Sequence, residues 1–280
     1  MCARMQIWHD DDPIWWDDGV CLMAVYLGYD EGGADDTLLV SAQMTVTEQA
    51  RKLKRQWRAA LGDVEYFHSK DLCNFTSGVF TVAGRDRKQR EQLLKDLRKI
   101  IHRHLALGVT AKISKKLYDS LTTNEFRSRW GTAYSFSINM LMLCAYLEFT
   151  TDRDESKYPW PPIDVNVLIE DGHRHAKQAL QIVQDGKNIP KEQRFVNVLT
   201  AGLGSKIDNP ILQAADMLAY AEWRDISERD SLLNYTLYSP TSHYRTARFE
   251  CNAELIEEIK KGPEAWMKRK RDHWHNKEHV

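Results

Sequence analysis

A continuous apolar run, VCLMAVYLGY at residues 20–29, constrains the fold of this chain more than any other segment. It has the length of a strand and is bounded by Gly19 and by the turn-forming DEGG. A strand without polar alternation is buried on both faces, so its sheet needs a covering layer on each side. The segment IDVNVLIED, 163–171, predicts a second buried strand that ends in two acids.

Helices and further strands alternate with these two strands. The segment TLLVSAQMTV, 37–46, predicts a strand that forms a hairpin with 20–29. An opening hairpin followed by alternating helices and strands predicts an α/β fold with a mixed central sheet flanked by helices. We expect one domain at 20–250, an N-terminal extension at 1–19 and a basic, helical C-terminal tail at 251–280. The remaining predicted elements are helices at 47–60, 85–106, 131–149 and 173–185, a loop at 65–80, and strands at 108–114 and 195–200.

Composition restricts the class of protein. The net charge is -1, from 39 Lys and Arg against 40 Asp and Glu, so contact with nucleic acid requires a local basic patch. The 5 cysteines are scattered without a C-x-x-C pair, which argues against a disulfide framework or a cysteine zinc site. No apolar run reaches the roughly 18 residues of a membrane span, and the acidic N-terminus is unlike a signal peptide. We therefore expect a cytoplasmic protein without a membrane partner.

The helix predicted at 209–223, NPILQAADMLAYAEW, carries a single aspartate, Asp216, in the middle of an apolar segment. A buried carboxylate is costly unless it is paired, hydrogen-bonded or bound to a metal. Aspartate is also a poor helix former away from the first turn. Two interpretations stay open: a structural Asp bonded to a neighbouring group, and a metal ligand that other acids join.

Two pairs of acids follow the two predicted buried strands. Asp30 and Glu31 end the first strand, and Glu170 and Asp171 end the second. Ligand sites in open α/β sheets gather at the carboxyl ends of strands, and neighbouring strand residues point to opposite faces. We therefore expect one acid of each pair to face a common site, although acids at strand ends are also ordinary turn formers. Carboxylates at such a place suit Mg²⁺ or Mn²⁺.

Four motifs occur in order along residues 20–225: YLGYDEGG, YFHSKDL, VLIEDG and LQAADMLAYAEWR. Together they resemble the DUF3800 family, which has a ribonuclease H-like fold. The first motif departs from the family's usual DESG, because Gly32 stands in place of the serine while both acids are kept. The resemblance implies a ribonuclease H-like acid cluster for a divalent metal. Its members by motif are Asp30, Asp171 and Asp216, with Glu31 and Glu170 as additions and with His68, Lys70 and Asp71 in a loop near the site.

Chemistry predicts the roles within such a cluster. Asp30 would be the central ligand, and Asp171 and Asp216 would each hold one ion of a pair. His68 has an ordinary pKa near neutrality and is a candidate general acid or base, or else a loop histidine that caps a backbone group. Lys70 would contact a phosphate, or else be an ordinary solvated lysine.

The basic tail is a second predicted contact for nucleic acid. Its cations would bind phosphates, and the interleaved tryptophans Trp266 and Trp274 would stack on bases. The alternative is an amphipathic helix, Leu255 to Trp266, that packs its apolar side on the domain. The predicted nucleic-acid-binding residues of the tail are Lys268, Arg269, Lys270 and Arg271.

These features predict a divalent-metal-dependent phosphodiester hydrolase, a nuclease that acts on RNA or DNA with Mg²⁺ or Mn²⁺. One alternative is a catalytically silent ribonuclease H-like binding module in a defence or mobile-element system. Another is a hydrolase of a small phosphate ester, and the near-neutral net charge mildly favours both alternatives over a nuclease that binds long polymers. Nucleic acid is the expected partner, and a protein partner or a homo-oligomer is compatible with each hypothesis.

Overall fold

A computed structural model describes most of the domain and short parts of the N-terminal region. Side chains are described for most of these residues, but not for those before Asp36 or for 73, 149–150, 223–226 and 245. The described residues are 6–7, 14–15, 21–26, 36–73, 76–150, 162–172, 175–186, 195–226 and 244–262.

A mixed sheet of six strands forms the centre of the fold. Its strand order is β7 (Val196–Gly204), β6 (Ile163–Glu170), β3 (Cys21–Tyr26), β4 (Thr37–Val46), β5 (Leu107–Ser114) and β8 (Arg245–Cys251). Strand β3 lies between an antiparallel neighbour, β4, and a parallel neighbour, β6. Beyond them, β5 pairs antiparallel with β4, β7 pairs parallel with β6, and β8 pairs parallel with β5. Two further short strands, β1 (Gln6–Ile7) and β2 (Ile14–Trp15), pair with each other in a separate two-stranded sheet.

Two layers of helices cover the sheet because strand side chains alternate between its faces. On β4, Ala42 and Met44 enter a core with the first layer, whereas the Gln43 side chain donates to the Ala214 carbonyl of the second layer. The first layer consists of α5 (Lys115–Leu121), α6 (Asn124–Trp130), α7 (Ala133–Thr150), α8 (Ala176–Asp185) and α10 (Ala253–Lys261). The second consists of α1 (Thr47–Leu61), α2 (Ser69–Cys73), α3 (Val79–Val82), α4 (Arg87–His104) and α9 (Pro210–Ile226).

The predicted α/β class with a mixed sheet flanked by helices is confirmed. The strand predicted at 37–46 has the observed bounds of β4, and α7 is buried on most of its surface, as its composition predicts. The loop predicted at 65–80 was wrong, since α2 and α3 interrupt it; both are shorter than the window over which periodicity is readable. Strand β7 also continues past the predicted end at residue 200, to Gly204.

The C-terminal part of the described chain packs on the domain. Helix α10 buries Leu255, Ile256 and Ile259 in the core of the first layer, which corresponds to the predicted alternative of a docked amphipathic helix. The basic residues Lys268, Arg269, Lys270 and Arg271 lie outside the described residues. Within the described part of the chain, no helix combines the length and apolar character that a membrane crossing needs.

Candidate functional site

The carboxyl ends of the parallel strands β3, β6 and β7 meet at one edge of the sheet. Val25 of β3 lies opposite Ile169 of β6, and Glu170, the last residue of β6, lies opposite Gly204 of β7. A short turn leads from Gly204 to the start of α9 at Pro210. This edge therefore brings Glu170, the turn 205–209 and the first turns of α9 into one neighbourhood, which is where α/β sheets place their ligand sites.

Glu170 is a buried carboxyl at this edge, with 9% of its surface exposed. Burial raises the pKa of Glu170 above its usual value, and the negative charges of Asp171 and Asp216 raise it further. The Lys206 ammonium and a hydrogen bond from the Gly172 backbone N–H act in the opposite direction on that pKa. The Glu170 side chain folds back so tightly that a Cβ on Gly172 would lie 2.5 Å from its Oε1 atom.

Asp216 is buried in α9, with 2% of its surface exposed, as its apolar setting predicts. Its Oδ2 atom accepts a hydrogen bond of 2.9 Å from the backbone N–H of Ser69, the first residue of α2. Asp216 thus satisfies an N–H group that the start of a helix leaves unpaired. The structural interpretation of Asp216 has direct support in this bond, and the charge of Asp216 also contributes to the raised pKa of Glu170.

Gln213, one helical turn before Asp216, fixes the loop that faces α9. Its Oε1 atom accepts hydrogen bonds from the Trp57 indole N–H (2.8 Å) and the Phe67 backbone N–H (2.9 Å). Its Nε2 atom donates to the carbonyl of Lys206 at 2.6 Å. Gln213 therefore joins α1, the segment before α2 and the turn before α9. The sequence signal for this role was its spacing, because residues three apart on a helix share a face with each other.

His68 and Asp71 form a pair within the segment that Asp216 and Gln213 hold. The Nδ1 atom of His68 lies 3.2 Å from Oδ2 of Asp71, and both side chains are partly buried. Gly78 adopts a positive φ of +94°, and a Cβ there would lie 2.6 Å from Cγ of Asp71, so only glycine leaves room for this carboxylate. With Nδ1 engaged by Asp71, Nε2 is the nitrogen through which His68 can exchange a proton with another group.

Tyr66 connects the pair to the buried acids. Burial raises the pKa of Tyr66, and the charges of Asp71, Glu65 and Asp216 add to this effect in that order. The negative charges of Asp71 and Asp216 therefore both act on the Tyr66 phenol and raise its pKa.

Arg90 of α4 is a structural residue that the sequence did not single out. It is 2% exposed and its Nη1 atom donates to the carbonyls of Asp71 and Leu72, each at 3.1 Å. Its Nε atom donates to the Arg85 carbonyl at 2.9 Å. A cation at the C-terminal end of α2 is favourable because it satisfies the last carbonyls of the helix. Its position on the apolar stripe of α4 was the available signal.

The structure separates the two acids that end β6. Glu170 is buried, whereas Asp171 is exposed and its backbone N–H donates to the Gly204 carbonyl at 3.1 Å. Lys70 is exposed on α2. Asp30 and Glu31 lie outside the described residues.

The donors at this edge suit a hard divalent cation. Magnesium is commonly held by one or two carboxylates together with water and substrate oxygens, and Glu170 and Asp216 supply two carboxylates. The Ser69 hydroxyl beside them is buried and has no hydrogen-bond partner among the described residues, so it is a further unpaired oxygen. Within that same part of the chain, no three His, Cys, Asp or Glu side chains form a metal-binding group. A complete set of protein ligands would thus require the predicted contribution of Asp30.

Comparison with known proteins adds no assignment to this site. Neither a scan against protein-family models nor a search of curated proteins finds a match to this chain. The similarity to the DUF3800 family consequently rests on the four motifs alone. Two of these motifs supply the residues of the site that are described best, Glu170 from VLIEDG and Asp216 from LQAADMLAYAEWR.

Proposed function

We propose that this protein is a divalent-metal-dependent phosphodiester hydrolase, a nuclease acting on RNA or DNA. One observation carries the proposal: Glu170 and Asp216, distant in sequence, are both buried carboxyls, and the charge of Asp216 is among those that raise the pKa of Glu170. Two like charges in a desolvated place repel each other unless a proton or a cation intervenes. A site that bears this cost is typical of a functional group rather than of ordinary packing.

The scaffold we propose is ribonuclease H-like. A first central strand with an antiparallel neighbour on one side and a parallel neighbour on the other supports this assignment, as do the motifs shared with the DUF3800 family. In this scaffold the chain crosses from the end of β7 into α9, which brings Asp216 to the edge where β6 ends. The topology therefore explains why a helical aspartate and a strand-end glutamate can serve one site.

The metal would be held by Glu170 and Asp216, with Asp30 as the expected third ligand. When bound, such an ion supplies a more acidic water and neutralises charge on a phosphodiester. The Ser69 N–H holds one oxygen of Asp216 and so limits the rotation of that carboxylate. Glu170 is held by the Gly172 N–H and by the field of Lys206, which limits its rotation in the same way.

His68 and two lysines would act on the substrate itself. Asp71 fixes the orientation of the His68 ring through Nδ1, and Nε2 would give or take a proton at an oxygen of the scissile phosphodiester. Lys206, beside Glu170, would bind a phosphate oxygen, and exposed Lys70 would bind a neighbouring phosphate. These roles make the loop 65–73 part of the site and not only its support.

Cleavage of labelled RNA, DNA and RNA–DNA hybrids with Mg²⁺ or Mn²⁺ tests the proposal. We expect Glu170→Gln and Asp216→Asn to lower the cleavage rate by at least about 100-fold, because each removes a charged oxygen ligand. Asp208→Asn is the matched control, since it removes an exposed acid from the neighbouring turn, and its rate should stay within about twofold of wild type. Cleavage that persists in Glu170→Gln and Asp216→Asn would reject both assignments.

A second candidate function has its own supporting observation. Asp216 already accepts a hydrogen bond from Ser69, and Lys206 partly neutralises Glu170, so both carboxyls have protein partners without an ion. A catalytically silent binding module would show this arrangement. Binding of nucleic acid without cleavage under any divalent metal would favour that function.

A further inference from the structure

Helices α1 and α4 carry a concentration of positive charge that the net charge of the chain conceals. Helix α1 has five Lys and Arg against one acid, and α4 has seven against two, in a chain with 39 and 40 overall. We call their exposed cations the basic helical surface. It consists of Arg51, Lys54 and Arg55 of α1 and of Arg87, Lys88, Lys95, Lys99 and Arg103 of α4.

The distribution of signs differs from that of an ordinary solvated helix face. Such faces usually alternate acids and bases, because pairs three or four residues apart are mildly stabilising. Here the three acids Glu48, Glu91 and Asp96 pair with Lys52, Arg87 and Lys99 on the same helices. The cations still outnumber the acids on the two helices by twelve to three, and an anionic partner would neutralise this excess positive charge.

The two helices also run antiparallel beside each other. Near the start of α1, the Gln49 Oε1 atom lies 2.8 Å from Nδ1 of His104 at the end of α4. At the opposite ends, Arg58 of α1 donates to the Glu65 carbonyl at 2.7 Å, and Arg90 of α4 binds the carbonyls of α2. The segment 65–73 is thus attached to one end of this pair of helices. The basic helical surface extends away from that end.

The exposed side chains of this surface indicate which polyanion it would bind. No exposed position of α1 or α4 is aromatic, as the burial of Trp57 inside the core illustrates. Proteins that hold single strands combine cations with aromatic side chains on which bases stack. A surface of cations without such platforms instead suits a double helix, whose phosphates face outward while its bases stay stacked.

We propose that the basic helical surface binds the phosphate backbone of double-helical nucleic acid and directs it toward the edge that holds Glu170 and Asp216. This inference rests on the proposed function and specifies its substrate as a duplex polymer, bound without sequence preference. It also assigns the main electrostatic contact to α1 and α4, independently of any contact made by the C-terminal tail.

Fluorescence anisotropy in EDTA tests the inference without requiring catalysis. The probes are a mixed-sequence DNA duplex, the corresponding RNA–DNA hybrid and the matching single strands, each titrated at several salt concentrations. One variant combines Arg51→Gln, Lys54→Gln and Arg55→Gln, and a second combines Lys88→Gln, Lys95→Gln and Lys99→Gln. The matched control combines Lys116→Gln, Lys177→Gln and Lys261→Gln, exposed lysines of the helices that cover the opposite face of the sheet.

We expect each surface variant to raise the duplex Kd by at least about tenfold near 0.1 M salt, and to lower the salt slope by about 2 to 3, because each lost phosphate contact removes ~0.9 from it. The control should change the Kd less than twofold. Thermal melting should agree with wild type for all three variants, since surface substitutions cost little.

Equal weakening by the control, or no weakening by the two surface variants, would overturn the inference. Failure of the wild-type chain to bind a duplex would overturn it as well, and tighter binding of single strands would reject the duplex assignment. If the surface variants weaken duplex binding while no metal supports cleavage, the inference stands and the proposed hydrolase activity fails. The two proposals are therefore distinguishable.

Discussion

At the scale of single residues, the candidate site contains buried carboxyl groups whose desolvation is only partly offset by neighbouring hydrogen bonds and charges. Glu170 and Asp216 lie near each other with little solvent, and the Ser69 N–H and the Lys206 ammonium offset only part of that cost. A protein tolerates such a cost at a functional site because the rest of the fold supplies the stability. The pH dependence of the free energy of unfolding measures the cost of burying these charges.

Glu170→Gln tests the cost of the buried charge in metal-free buffer. Burial raises the pKa of Glu170 above the ordinary value of 4.5, so the folded state retains the proton to higher pH than the unfolded state. Wild-type stability should therefore fall as the pH rises from about 4.5 through the raised pKa, and the cost should be complete above it. The neutral variant lacks this loss and should therefore be more stable than wild type at pH 7.

Urea unfolding of both proteins at several pH values measures the difference. The two curves should converge below pH 4.5, where the carboxyl is protonated in the folded and unfolded states alike. A Glu170→Gln variant that is less stable than wild type at pH 7 would contradict this account of Glu170.

At the scale of elements, two buried side chains from different helices hold the segment 65–73 in place. Gln213 of α9 binds the segment before α2, and Arg90 of α4 binds the carbonyls at the end of α2. Because α2 has only five residues, it cannot be stable by itself, and these tertiary bonds supply its stability. The position of His68 thus depends on residues that lie far away in sequence.

Arg90→Met tests this support. The substitution keeps an unbranched side chain but leaves the carbonyls of Asp71, Leu72 and Arg85 without their donor. We expect a loss of about 2 to 4 kcal/mol in the free energy of unfolding, since buried acceptors lose charged hydrogen bonds. Hydrogen exchange should increase first in the amides of residues 66–82.

Lys95→Met is the matched control because it removes an exposed cation from the same helix, and its effect should stay within about 0.5 kcal/mol. Arg90→Lys should recover only part of the stability, because an ammonium lacks the planar fork of donors. Equal stability of Arg90→Met and wild type would refute the supporting role of Arg90.

At the scale of the whole molecule, the sheet separates two different surfaces. The layer with α1, α4 and α9 carries the acidic site and the basic helical surface, while the layer with α7 packs a large apolar core against the other face of the sheet. Ions and nucleic acid would therefore meet the same side of the sheet. An ion that binds only the folded state would therefore stabilise the fold.

Addition of Mn²⁺ should raise the melting temperature of the whole domain. At 100 times the Kd, a ligand that binds only the folded state adds ~2.7 kcal/mol, which corresponds to several degrees for a chain of this size. Glu170→Gln and Asp216→Asn should lose the increase, whereas Asp208→Asn should keep it. The increase should also diminish at acidic pH, because binding requires ionised carboxylates and burial raises the pKa of Glu170. Melting that is insensitive to Mn²⁺ in wild type would exclude the metal site.

Local pattern was sufficient for the alternation of elements and for some of the candidate site. The apolar strand β6, the amphipathic α4 and the aspartate inside apolar α9 are readable because hydrophobic periodicity is a property of neighbours in sequence. The short helices α2 and α3 were not readable, since tertiary bonds stabilise them. The supporting role of Arg90 was not predicted, because its hydrogen-bond partners lie in other elements.

The sequence by itself determined that this chain folds into α/β layers and buries an aspartate in α9. Only the tertiary structure decided that Glu170 is buried and that Asp171 is exposed. It alone decided that α1 and α4 run side by side and combine their cations into one surface. The physical reason is that patterns along a chain specify which face of an element is apolar, whereas the contacts between distant elements depend on how those faces pack together.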